Sequence, residues 1–145
     1  MQKRRVVAIS LVIAAACATG AQRPANIPRP ELSVAATGQP FFGSGFEAPV
    51  GINVQITNLA GEPIIVRSVR VASPGMVQFG IRPTERVLNE TLAAGETKVF
   101  NLSAMAFASE EGLDPTEPLS IRAQAYFEVG GKQFREMYNF LNVTY

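Results

Sequence analysis

From Glu31 to the C-terminus the chain is written in short runs where apolar and polar residues alternate, broken by Gly, Pro and Asn. A period of two puts successive side chains on opposite faces of a strand, so each run predicts a half-buried β-strand. Residues 31–36 set Leu32, Val34 and Ala36 on one side. Residues 50–58 form the clearest case, with Ile52, Val54 and Ile56 inward and Asn53, Gln55 and Thr57 outward. Residues 58–63 then carry turn chemistry in Asn58, Gly61 and Pro63. The run 63–73 contains a fault: Ile64 and Val66 share one face, Val69 and Val71 the other. A β-bulge near Arg67-Ser68, or a strand that changes sheet, reconciles the two halves. Two short strands split by Pro83 follow at 76–81 and 85–92. A turn at 93–96 then leads to a strand at 97–104, with Phe100 and Leu102 inward.

The last two runs, 119–129 and 132–145, flank Gly130-Gly131. Two glycines accept positive φ at both central positions of a primed turn, which is the tight connection of a β-hairpin. That register pairs Phe127 with Phe134, Ala123 with Tyr138 and Ile121 with Phe140 on the inner face. Tyr126 with Arg135 and Arg122 with Asn139 face out. It also points Glu136 inward beside Ala125, so either a bulge turns this carboxylate outward or a charged partner meets it. Seven or eight short strands with no strong amphipathic helix predict an all-β fold, a single antiparallel sandwich. The strand layout, and the Leu92-x-x-Gly95-Glu96-Thr97 turn entering a late strand, resemble the immunoglobulin and fibronectin type III architecture. The resemblance covers residues 31–145 and is architectural. About 115 residues suffice for a core that folds alone.

The first residues follow a different rule. Lys3-Arg4-Arg5 precedes an apolar run of eleven residues, Val6 to Ala16, interrupted only by Ser10. Crossing a bilayer takes about 20 apolar residues, whereas a signal-peptide core takes about 7–15, so residues 1–16 read as an export signal. Ile13-Ala14-Ala15-Ala16-Cys17 resembles the lipobox of bacterial lipoproteins, departing from it at Ala14, where Leu is commonest. The resemblance implies that Cys17 is lipidated and becomes the mature N-terminus. By similarity to lipoproteins of two-membrane bacteria, Ala18 in place of Asp implies an outer-membrane destination, facing the periplasm. Residues 17–30, with Pro24, Pro28 and Pro30, are then the lipidated cysteine and a spacer. Fully extended, the spacer holds the domain at most ~40 Å from the bilayer; the alternative is that part of it packs on the domain as an edge strand. The expected organisation is signal peptide 1–16, anchor and tether 17–30, and sandwich 31–145.

Composition narrows the chemistry. There is no His and Cys17 is the only cysteine, which removes intrachain disulfides, His-dependent nucleophilic triads and His- or multi-Cys zinc sites. Without the leader's three cations, ten Lys and Arg stand against twelve Asp and Glu, a net charge of −2. No basic cluster follows residue 5, so nucleic acid is not an expected partner. No cofactor and no catalytic residue is expected.

Three features remain as candidate sites. Phe41, Phe42 and Phe46 lie on a Gly-rich loop that either inserts into a partner or folds back to plug one end of the sandwich. Residues 109–117 carry Glu110, Glu111, Asp114 and Glu117. Calcium takes six to eight oxygens, but the spacing lacks the Asp-x-Asp pattern of a calcium loop, so a solvated loop is expected and no metal. A hydrolase would need two carboxyl groups about 5–10 Å apart, for which Glu110 with Asp114 or Glu136 is the available pairing. The leading expectation is a non-catalytic envelope module that binds another envelope protein. A small-molecule or glycan carrier using the Phe loop ranks second and the hydrolase third.

Overall fold

The computed structural model describes residues 21–75, 77–109 and 118–143, so Cys17 and the carboxylates of the acidic loop lie outside the described residues. Eight strands form: β1 Glu31–Ala36, β2 Glu47–Thr57, β3 Ile64–Ala72, β4 Phe79–Ile81, β5 Thr84–Leu92, β6 Thr97–Ala108, β7 Leu119–Val129 and β8 Lys132–Val143. They make two four-stranded sheets, β1-β2-β6-β4 and β5-β3-β7-β8, with every pairing antiparallel. The chain is an all-β sandwich, and its described residues contain no helix.

The neighbours β1-β2-β6 and β3-β7-β8 match the A-B-E and C-F-G sets of an immunoglobulin layout. The outer positions depart from it. After β3 the chain first adds β4 beside β6, then returns to add β5 beside β3.

Between the sheets lies one apolar cluster. Ile52, Val54 and Ile56 of β2 meet Val66, Val69 and Val71 of β3 and Ile121, Ala123, Ala125 and Phe127 of β7, all fully buried. Small Ala123 and Ala125 leave room for large neighbours, and Phe127 stacks on Phe134 with ring centroids 5.3 Å apart.

The fault in the third run is a bulge. Val66 pairs with Phe127 and Ser68 with Tyr126, so Arg67 is an extra residue against β7 and both valine pairs stay inward. Against β5 the mismatch reverses: Leu88 and Asn89 stand opposite Arg67 alone, and Asn89 takes a positive φ of 52°. β5 is thereby kinked at the open margin of its sheet.

The expected hairpin pairs, from Phe127 with Phe134 to Arg122 with Asn139, all form, and Gly130 and Gly131 adopt φ of 53° and 76°. Three strand limits differ. β2 starts at Glu47 despite Pro49, because β1 pairs only from Ile52 onward and leaves that part of β2 at a margin. β6 runs on to Ala108, and β4 is only three residues long.

Two ends result. At one lie the β2–β3, β5–β6 and β7–β8 turns, the first two joined through Asn58, which is fully buried. Its side-chain amide donates to the carbonyls of Glu62 (2.8 Å), Ala93 (3.0 Å) and Leu92 (3.2 Å), while its oxygen accepts from the N–H of Ala60 (2.9 Å). Its backbone bonds Glu96 and Gly95, so one residue ties two turns together. The β1–β2 and β3–β4 connections, the end of β6 and the start of β7 sit at the opposite end. Strands of eleven and twelve residues rise about 3.3 Å per residue, which separates the ends by about 35 Å.

Residues 21–30, expected as a spacer, lie on the domain. Ile27 is 3% exposed and belongs to the core, closed by a turn in which its N–H donates to the carbonyl of Pro24. The folded body therefore starts before Glu31. The physical reason is that this Pro-rich stretch carries one large aliphatic side chain, and the sandwich flank beside β8 has room for it.

Candidate functional site

At the end remote from the Asn58 turns, the Phe loop spans residues 37–46. Its backbone is pinned at both sides. The N–H of Thr37 donates to the carbonyl of Gly51, and the N–H of Ala108 donates to that of Phe46. A side chain at position 51 would meet the Thr37 hydroxyl, so glycine is what allows the loop to close onto β2. Within the loop the N–H of Gly45 donates to the carbonyl of Phe42, and Gly43 turns at φ 56°.

The three aromatics divide. Phe42 is half-buried and meets Phe79 edge-on, with centroids 5.9 Å apart and ring planes at 71°. Phe41 stands 88% exposed and Phe46 43%. Phe42 thus folds back to plug the sandwich end, whereas Phe41 projects from it.

Sequence reasoning missed the surroundings of this loop. Because β6 continues to Ala108, Met105 and Phe107 alternate outward while Ala104, Ala106 and Ala108 alternate inward. Arg82 lies over Phe107, its guanidinium carbon 5.1 Å from the ring centroid, and forms an ion pair with Glu47 at 2.5 Å. The signal was present in the alternation Ala104-Met105-Ala106-Phe107-Ala108, hidden because small alanines blur the inner face. The loop end thus carries exposed aromatics, a methionine and an arginine, a composition enriched at protein interfaces.

Glu136 pairs with Ala125 as the register required, and it is met by charged partners. Arg23 and Arg29 donate to its two oxygens at 2.8 and 3.0 Å, and the carboxylate side chain is 16% exposed. Arg29 also donates to the carbonyl of Met137 and lies 4.2 Å from the centre of the Tyr138 ring. The Tyr138 hydroxyl donates to the carbonyl of Pro30 at 2.6 Å, and burial pushes its pKa up to about 12. With both oxygens held by guanidinium groups, Glu136 serves as the clasp of residues 21–30. Glu110 and Asp114, its proposed carboxylate companions, lie outside the described residues. Among the described residues no group of three or more His, Cys, Asp or Glu is placed to hold a metal ion. No helix among them is long and apolar enough to cross a membrane.

No family model and no curated protein matches the chain. Solved structures do. A protein from Archaeoglobus fulgidus aligns over 77% of this chain and 97% of its own, with 14% identity and a TM-score of 0.42. A FixG-related protein from Vibrio parahaemolyticus aligns over 80% of this chain and 98% of its own, with 14% identity and a TM-score of 0.35. The chain also matches 13% of the length of a Bacteroides uniformis beta-glucuronidase, over 77% of its own, with 17% identity and a TM-score of 0.42.

Proposed function

We propose that the chain is a non-catalytic lipoprotein of the cell envelope, anchored through Cys17 in the outer membrane. In this reading its sandwich binds another envelope protein through the loop end. The observation that carries it is Phe41: a large aromatic left 88% in water, on a loop whose neighbour Phe42 packs against the core. Apolar rings rarely stay exposed on a pinned loop without a partner surface. Phe46, Met105 and Phe107 extend the apolar surface, and Arg82 supplies the polar rim.

Crosslinking in intact envelopes, followed by pull-down, tests both parts. The native chain recovers a reproducible partner from the membrane fraction. Phe41→Ser stays membrane-bound and loses that partner, while Cys17→Ser leaves the membrane fraction. Partner recovery unchanged by Phe41→Ser overturns the interface.

A further inference from the structure

The two outward faces of the sandwich differ in charge. The strands of β1-β2-β6-β4 turn no cation outward; Glu31 and Glu47 lie on that side, and Arg82, beyond β4, is paired with Glu47. The β5-β3-β7-β8 face carries Arg67 and Arg70 from β3, Arg122 from β7 and Arg135 from β8. Its two carboxylates are already engaged: Glu128 with Arg67 at 2.5 Å, and Glu85, beside Arg70 in register, with the Ser68 hydroxyl at 2.9 Å. Among the described residues no ion pair joins Arg70, Arg122 or Arg135 to a carboxylate.

This face is also indented. One concavity of about 250 Å³ is lined by Arg70, Arg122 and Gln124 with the Ser73–Gly75 loop. A second, of about 370 Å³, is lined by Arg67, Tyr126, Arg135 and Ala21. Leu141 and Val87 stand 75% and 70% exposed on the same side.

Ala21 decides the occupant. The clasp at Glu136 fixes residues 23–29 to β8, so the chain leaves the folded body beside the second concavity. Cys17 is four peptide steps further back, at most about 14 Å when fully extended. We propose that the outward face of β5-β3-β7-β8 rests on the bilayer, its arginines binding the anionic headgroups of lipids. This inference rests on the anchoring of Cys17. Guanidinium groups match phosphate oxygens in a planar, two-point contact. The contact need not be strong alone, because a short link holds the face at high effective concentration beside its ligand. The domain lies on its side, and Phe41 meets partners laterally, within the same membrane plane.

The test uses the full chain, lipidated and reconstituted in vesicles, with a fluorophore on Gln124→Cys (arginine face) or Ser103→Cys (opposite face). Headgroup-bound quencher in phosphatidylglycerol vesicles dims the label at 124 several-fold more than the label at 103. The difference collapses in phosphatidylcholine, in about 1 M salt, where the screening length falls to about 3 Å, and in the Arg70→Glu/Arg122→Glu variant. Equal quenching at both positions, or a difference indifferent to lipid charge, overturns the docking. A fatty-acid probe on the native chain and on Cys17→Ser reads the anchor separately. Incorporation that persists in Cys17→Ser overturns the anchor and the docking with it. Incorporation lost in Cys17→Ser, with equal quenching in the native chain, overturns the docking alone.

Discussion

Asn58 shows how much one side chain can hold. It is fully buried and its amide satisfies three carbonyls and one N–H across two turns. Asn58→Ala strands these groups without water, and leaving buried polar groups unmade costs about 1–3 kcal/mol. The expected outcome is a lower midpoint of denaturant unfolding with an unchanged slope. Tyr138 makes a second prediction at this scale. Its folded pKa is raised from 10.0 to about 12, chiefly by burial. The folded chain therefore holds the phenol proton where the unfolded chain has released it. The stability so gained is complete below pH 10 and disappears as pH climbs from 10 towards 12. Difference absorbance between the native chain and Tyr138→Phe should show one titration step near 12 when folded, moving to about 10 in denaturant. Neither role was legible in the sequence: Asn58 read as turn punctuation, and Tyr138 as an inward aromatic opposite Ala123. What distinguishes both is a partner distant along the chain.

Among the elements, residues 21–30 changed most between sequence and structure. Three prolines predict an extended spacer; the chain instead turns between Pro24 and Ile27, and periodicity could not reveal that Ile27 reaches the core. Glu136 was the clue, an inward carboxylate demanding a cation. Arg23 and Arg29 are 113 and 107 residues away from it, beyond any local pattern. Burying Ile27 is expected to hold the segment firmly, beside an Arg29 pair whose guanidinium is half-exposed and which contributes about 0–1 kcal/mol. Ile27→Ala is predicted to cost about 2–5 kcal/mol and to open residues 21–30 to protease. Limited proteolysis with mass mapping, alongside denaturant unfolding, checks this. The strands themselves were largely legible. Alternation placed every one, and the valine fault in the third run located the bulge. Limits slipped where alanines or a marginal proline replaced the usual apolar and polar signs, at β6 and β2.

Over the whole molecule, fold class followed from counting short alternating runs. Sheet order did not, because nothing local says whether β4 joins β6 or β3. Net charge also concealed the arrangement that matters. A total near zero discouraged any expectation of electrostatic binding, yet folding gathers four arginines on one face and leaves the other face's strands without an outward cation. If the chain is held at a membrane as proposed, it crowds in two dimensions, where a straight open strand would recruit its identical neighbours side by side. The kink at Leu88-Asn89 bars that route. With Asn89 twisted out of the extended form and charges at Glu85, Arg86 and Glu90, the margin of β5 cannot offer a continuous row of donors and acceptors. Along this margin, copies of the chain therefore meet no template for a growing stack.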